Sequence, residues 1–272
     1  VADLEEAHGL IGARAGLIAK IEKPSAIEDM AAIVAASDAI MVARGDLGVE
    51  LPAEKVPIAQ RRLIRTARDL GKPVIVATHM LESMVEAASP TRAEASDVAS
   101  AIYQGADAVM LSAESAVGRH PLSAVAIMTR IIEEVEADPD YWRDLKAAVH
   151  GPDPTTADAL AAAARDIAAS LSCGGVIAYT RTGATALRVS RERPPCPILV
   201  LTPDAIAAQR LSLAWGVSAT VLPDITSFDE MVGRAEGHAR AAGLSADSRI
   251  VIIAGAPFGE PGKTNTLKIS RL

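Results

Sequence analysis

The chain has 272 residues, half of them apolar and only 3% aromatic, with a formal net charge of −7. That length fits one large domain or two ordinary ones, and apolar content drawn mostly from Ala, Val, Ile and Leu favours layered α/β packing over a sandwich with an aromatic core. The negative charge argues against broad attraction to nucleic acid or an anionic membrane, and no run of about 18 apolar residues marks a membrane span.

Residues 2–15 read as a helix. The stretch "LIAKIEKP", Leu17 to Pro24, follows as a strand with two charges near its end. Side chains alternate faces along a strand, so Lys20 and Glu22 point the same way. Burying them is costly unless they pair or bind something. "PSAIEDMAAIVAA" reads as one helix, with Ser25 and Glu28 as a capping box. "DAIMVARGDLG" is a second strand ending in a glycine turn. "PAEKVPIAQRRLIRTARDLG" is an amphipathic helix with Val56, Ala59, Leu63, Ala67 and Leu70 on its apolar face and Gly71 as its stop. "KPVIVATHM" is a third strand. "PTRAEASDVASAIYQG" is a helix capped by Thr91 and Glu94. "ADAVMLSAES" is a fourth strand, and "PLSAVAIMTRIIEEVE" the helix after it. Four strand–helix units in a row imply a parallel sheet.

"ADPDYWRDLKAAVHGPDPTT" breaks that rhythm, and a domain boundary is expected near Pro152. Beyond it, strands recur at "GGVIAYT", "CPILVLT", "GVSATVL", "SRIVIIAGA" and "NTLKISRL", with helices between the first four. These form a second, smaller α/β domain. Cys173 and Cys196 have no metal-type spacing, and two lone thiols fit a reducing cytosol. The opening "VADLEEAHGL" has no signal-peptide pattern. Because it begins with Val, the chain is expected to be a piece of a longer one or to have an unusual start.

In the first domain the polar residues gather at strand C-termini, the edge where parallel α/β sheets bind ligands. The ends carry Lys20 and Glu22, then Arg44, Gly45 and Asp46, then Thr78 and His79, then Ser112 and Glu114. Glu22 and Asp46 are hard oxygen ligands suited to Mg²⁺ or Mn²⁺. Lys20 offers a cation for an enolate or a phosphoryl group in transit. A short helix starting at Gly45–Asp46 would turn free amides toward an anion, and the Thr78 hydroxyl would help hold a carboxylate. Each residue alone has a plainer reading. Lys20 and Glu22 make an ion pair, Asp46 caps a helix, Thr78 is a strand residue, and Ser112 and Glu114 cap a turn. His79 reads as packed, and His8, His120, His150 and His238 as surface residues. Four charged strand ends in succession favour a site.

The motifs "AKIEKPSAIE", "DAIMVARGDLGVELPAEKVPIAQ", "GKPVIVATHMLESM", "PTRAEASDVASAIYQGADAVMLSAES" and "GKTNTLKI" resemble pyruvate kinase, in family order and across essentially the whole chain. The resemblance covers only the latter part of that family's length. It implies an α/β fold: residues 1–150 as a partial (β/α)8 TIM barrel, with strands resembling five to eight, and residues 151–272 as a smaller α/β C-terminal domain. It implies phosphoryl transfer from phosphoenolpyruvate to ADP, giving pyruvate and ATP in glycolysis, and a cytoplasmic homo-oligomer, by family habit a tetramer. It implies Mg²⁺ or Mn²⁺, and K⁺ whose site is not in this chain. By motif match Lys20 is the catalytic and substrate-binding lysine, Glu22 and Asp46 are metal ligands, and Gly45, Asp46 and Thr78 form the carboxylate site. Ser112 and Glu114 match the family's stretch near the pocket that helps protonate the enolate. His79 and Ala113 depart from the family's usual Gln and Gly.

The loop "TRTGAT", with Thr180, Thr182, Gly183 and Thr185, resembles the family's loop for sugar-phosphate effectors; a nucleotide effector is the other candidate, and a capped strand–helix turn the plain reading. "APFGEPGKTNT" is not a phosphate-binding P-loop, because Pro257 stands where the pattern needs glycine and a strand follows rather than a helix. Two rival functions stand beside the kinase. One is a metal-dependent pyruvate lyase or aldolase using the same carboxylate pair; the other is a non-catalytic regulatory or assembly fragment.

Overall fold

The structure, a computed structural model, describes residues 1–147, 155–257 and 263–272. The chain divides into two compact units, Val1–Val149 and His150–Leu272. In the first unit the order is α1 (Ala2–Ile11), β1 (Ile18–Ile21), α2 (Pro24–Glu28), α3 (Met30–Ala35), β2 (Ala39–Ala43), α4 (Arg44–Glu50), α5 (Val56–Asp69), β3 (Val74–Ala77), α6 (Arg92–Tyr103), β4 (Ala108–Met110), α7 (Ala113–Ala116), α8 (Pro121–Ala137) and α9 (Pro139–Ala147). The four strands form one parallel sheet in the order β1-β2-β3-β4. That sheet is open, with β1 and β4 at its edges.

Alternation along the strands sorts the two faces. Ala19 and Ile21 of β1, Ile40 and Val42 of β2, and Val74 and Val76 of β3 join one apolar core. Val34 of α3, Leu63, Ile64 and Ala67 of α5, Val98 and Ala101 of α6, and Ala124 and Met128 of α8 close over them. Each fully buried Val, Leu or Ile stabilises the fold by about 1.5–3 kcal/mol relative to exposure. The opposite face carries Ile18, Lys20, Met41 and Met110, and is more open, with Ile18 exposed. All four C-terminal strand ends lie on one edge. The register Ala43 to Ala77 sets Arg44 and Thr78 beside each other just past it.

Several local expectations need correction. Ser25 and Glu28 make no capping box: Pro24 opens α2 at its first turn, which puts Ser25 inside the helix rather than before it. The run is also two helices, broken at Asp29. Leu70 is exposed, and Ile64 takes its place on the buried face of α5. The third strand stops at Ala77, because Thr78 and His79 turn left-handed. His79 is exposed rather than packed. His8 and His238 are half-buried and bonded, to the Ala36 carbonyl and the Thr220 hydroxyl. The segment from Pro139 is helical, whereas Pro152 and His150 lie outside the described residues. The Thr91–Glu94 capping box is present as read, and Gly71 takes the left-handed conformation that stops α5.

The second unit runs α10 (Thr156–Ser170), β5 (Gly175–Tyr179), α11 (Ala184–Glu192), β6 (Ile198–Thr202), α12 (Ala205–Arg210), β7 (Val217–Val221), α13 (Phe228–Ala241), β8 (Arg249–Gly255) and β9 (Thr264–Arg271). Its sheet has the order β7-β6-β5-β8-β9, parallel except for β9. β5, β6 and β8 are buried on both faces, which is why they read as unbroken apolar runs. Val176, Ala178, Ile198 and Val200 face α10 and α11, while Ile177, Leu199 and Leu201 face α13. No helix among the described residues is long and apolar enough to cross a membrane.

Candidate functional site

The two charges of the first strand do meet, and a third joins them. Lys20 Nζ lies 2.7 Å from Glu22 Oε2 and 2.8 Å from Asp46 Oδ2. One nitrogen touching both oxygens bounds the two carboxylates at no more than 5.5 Å apart. Period-two alternation puts Lys20 and Glu22 on one face, and parallel pairing of β1 with β2 brings Asp46 of α4 alongside. The hydrogen bond to Asp46, then the close contact with Glu22, holds the Lys20 ammonium well above its ordinary value. The same bond from Lys20 holds the Asp46 carboxyl below its own.

Glu22 differs from Asp46 in its surroundings. Its Oε2 is shut off from water and accepts no well-aligned hydrogen bond among the described residues. The ammonium 2.7 Å away is a close ionic partner approaching off-axis. A shielded carboxylate oxygen with acceptor capacity to spare, beside a second carboxylate, is a donor set that suits a hard divalent cation. Mg²⁺ commonly takes one or two carboxylates and keeps waters and substrate oxygens as its other ligands. Among the described residues no group of three or more His, Cys, Asp and Glu is placed to hold a metal. Glu22 and Asp46 are a pair of neighbouring carboxylates, short of such a group.

Gly45 and Thr78, expected to bind a carboxylate, also come together, but they face each other. The Gly45 amide donates to Thr78 Oγ1 at 2.9 Å, and the Thr78 hydroxyl donates to the Ala77 carbonyl at 2.5 Å. A Cβ at residue 45 would meet the Thr78 side chain at 3.4 Å, an ordinary van der Waals contact, so this approach does not itself demand glycine. Thr78 has φ 69° and His79 φ 53°. Left-handed backbone costs a non-glycine residue about 1–2 kcal/mol, and for β-branched threonine it is a marked outlier. Strain of this kind gathers at binding and catalytic sites.

Two further residues hold the segment. Arg44, half a turn from Asp46, is nearly buried and ion-paired to Asp97. Glu114 is wholly buried and accepts from the Leu81 amide at 3.0 Å and the Ser112 amide at 2.7 Å. Glu114 thus acts on the backbone after β3 as well as on its own turn. The one trace of Arg44 in the sequence is its place directly after a buried strand, which assigns it no role.

In the second unit, the hydroxyls of the "TRTGAT" loop mostly turn inward. Thr180 Oγ1 accepts the Gly183 amide at 3.0 Å, and Thr185 Oγ1 lies 2.7 Å from Thr264 Oγ1, with both pairs buried. Thr182 is exposed, and its Oγ1 is 3.5 Å from the Ala184 amide. Gly183, at φ 89°, caps α11. The loop follows β5, whose neighbours β6 and β8 lead away in opposite directions, and such a switch point is where open α/β sheets bind ligands.

Fold and cluster together define an α/β protein with an acid–ammonium site on the carboxyl edge of a parallel sheet. Comparison with known proteins gives the family. A family model described as "Pyruvate kinase, barrel domain" matches residues 1–125, and one described as "Pyruvate kinase, alpha/beta domain" matches residues 158–270. A protein named pyruvate kinase from Methylorubrum extorquens is 50% identical over 269 residues, 98% of this chain and 56% of the relative. One of the same name from Agrobacterium vitis is 52% identical over 270 residues, 99% of this chain and 57% of the relative. A third, from Mycobacterium tuberculosis, is 45% identical over 275 residues, the whole of this chain and 57% of the relative. The chain belongs to the pyruvate kinase family, and spans somewhat more than half the length of these curated relatives.

Proposed function

We propose that the chain carries the metal and pyruvate half of a pyruvate kinase active site. The reaction moves the phosphoryl group of phosphoenolpyruvate to ADP, giving pyruvate and ATP. In this reading residues 1–150 are the second half of the catalytic barrel and residues 151–272 its α/β domain. The observation that carries it is the Lys20 ammonium seated between Glu22 and Asp46.

Glu22 and Asp46 would hold Mg²⁺ or Mn²⁺, which when bound supplies Lewis-acid charge to the phosphoryl and enolate oxygens. Lys20 holds a full positive charge across the working pH range and stabilises negative charge as the C–O–P bond breaks on the phosphorus side. The phosphorus bonds to the terminal oxygen of ADP, and the enolate left behind takes a proton at its methylene carbon. The first turn of α4, with Gly45 and Asp46, and the Thr78 hydroxyl bind the substrate carboxylate. The bond between the Gly45 amide and Thr78 then gives way to bonds with that carboxylate. The nucleotide side and the K⁺ site belong to the family's other half. The loop of Thr180, Thr182, Gly183 and Thr185 binds a phosphorylated effector at the switch point, and the working protein is a cytoplasmic homo-oligomer.

The test uses a partial reaction that needs no nucleotide: exchange of pyruvate methyl protons with deuterium, followed by NMR in the presence of Mg²⁺. The reading predicts metal-dependent exchange that falls at least about 100-fold in Lys20→Met, the order expected on losing an electrostatic stabiliser. A lactate-dehydrogenase-coupled assay with phosphoenolpyruvate and ADP then reports whether this chain completes phosphoryl transfer. Absence of both pyruvate binding and metal-dependent exchange would refute the reading and leave the non-catalytic module.

A further inference from the structure

Two consecutive residues after β3 are left-handed and neither is glycine. Such backbone persists only where its surroundings over-determine it. Arg44 is the largest of those surroundings. Its Nη2 donates to the Thr78 carbonyl at 2.7 Å and to the His79 carbonyl at 3.3 Å, and its Nε to the Ala77 carbonyl at 3.3 Å. Its Nη1 reaches both carboxylate oxygens of Asp97, on α6, at 2.6 and 2.5 Å. One guanidinium thus grips three successive carbonyls and is itself anchored by a carboxylate 53 residues away. Its nitrogens all donate to acceptors within the protein and its side chain is mostly buried, whereas the Lys20 side chain is more than half exposed, so Arg44 acts through the turn rather than on substrate. From the far side, Glu114 takes the Leu81 amide. Arg44 is also the residue before Gly45. The side chain that holds the Thr78 backbone is therefore bonded in sequence to the amide that the Thr78 hydroxyl accepts.

We propose that Arg44 and Asp97 are a positioning pair for the carboxylate end of the site. They hold the left-handed turn so that Thr78 Oγ1 and the Gly45 amide stay in register, and they do not act on the metal end at Glu22 and Lys20. The pairing demands arginine. A lysine presents one compact charge and cannot reach three carbonyls and a carboxylate from a single plane. Asp97→Asn keeps the shape but removes the charge that fixes the guanidinium. The effect on ligand affinity rests on the carboxylate-site reading above, whereas the effect on the backbone does not.

The experiment compares the 272-residue chain with Arg44→Lys, Asp97→Asn and Val98→Ala, the last a core truncation on α6 that leaves the guanidinium alone. Hydrogen exchange at the Gly45 amide is read by NMR, along with Mn²⁺ affinity and pyruvate affinity at saturating Mn²⁺. Arg44→Lys and Asp97→Asn are expected to speed Gly45 exchange and weaken pyruvate by about tenfold or more, the scale of a charge-assisted hydrogen bond. Mn²⁺ affinity is expected to change several-fold less than pyruvate affinity, since Glu22 and Lys20 share no partner with the guanidinium and only Asp46 joins the two ends. Gly45 exchange that is unchanged, or changed only as much as in Val98→Ala, overturns the proposal. So does unaltered pyruvate affinity in a chain that binds pyruvate. If the unmodified chain binds no pyruvate, the functional reading fails, and the Gly45 exchange still decides the pairing.

Discussion

Replacing Glu114 with glutamine tests whether the turn around the site is held by buried charge. The carboxylate is fully buried, and its two oxygens accept two different amides, from Leu81 at 3.0 Å and Ser112 at 2.7 Å. Glutamine keeps the shape but has one acceptor. Whichever way its amide turns, one backbone N–H meets an NH₂ group. A buried donor left without an acceptor costs about 1–3 kcal/mol, against a total stability of about 5–15 kcal/mol for a domain. With a urea dependence of about 2 kcal/mol per molar, the unfolding midpoint falls by about 0.5–1.5 M. Glu114→Ala strands both amides and costs about twice as much. The two tryptophans make the assay specific, because Trp142 lies in the unit that holds Glu114 and Trp215 in the other. Fluorescence in a Trp215→Phe background then follows the relevant transition. A midpoint shift in Glu114→Gln smaller than about 0.2 M, equivalent to about 0.4 kcal/mol, would refute the argument.

Three other outcomes are expected. Asp158 is buried and its Oδ1 accepts from Arg188 and Arg191 at 3.2 and 2.9 Å, so Asp158→Ala destabilises the second unit by about 3 kcal/mol; a loss under about 1 kcal/mol by Trp215 fluorescence contradicts this. His79 is an exposed residue at φ 53°, so His79→Gly relieves strain that outweighs glycine's entropy cost and stabilises by about 0.5 kcal/mol; a lower urea midpoint would count against it. The acid–ammonium cluster sets a pH window. The lowered Asp46 value contributes stability above the ordinary 3.8 and loses it as pH falls through the folded value. The raised Lys20 value contributes fully below the ordinary 10.5 and loses it as pH rises through the folded value. Both groups are exposed, so the effect weakens with salt. NMR titration should show the Asp46 midpoint rising in Lys20→Met, and an unmoved midpoint would remove the pairing as its cause.

Local rules carried much of the fold. Alternation put Lys20 and Glu22 on one side of β1, and they touch. Capping chemistry marked the start of α6 at Thr91 and Glu94, and unbroken apolar runs marked strands buried on both faces in the second unit. Where the reading missed, the deciding partner was distant. Nothing in "VATHM" announces a left turn, since that segment has no glycine; it is imposed by Arg44, more than 30 residues earlier, and by Glu114, later in the chain. The same distance hid the function of Arg44, whose partners span α6 and the end of β3. Glu114 read as a turn cap, and its burial under Leu81 is visible only once the strands pair. The contacts among Lys20, Glu22 and Asp46 were legible because these residues sit at strand ends in a regular rhythm. Its supporting members were not, because no sequence period relates them.

The central claim is that Glu22 and Asp46 form one cation site beside Lys20. Mn²⁺ binding, read by the loss of free-ion electron paramagnetic resonance signal, tests it most directly. One ion per chain is expected, bound at least about tenfold more weakly in both Glu22→Gln and Asp46→Asn, as follows from removing one of two charged ligands. Equal Mn²⁺ affinity in the unmodified chain and both variants would contradict it.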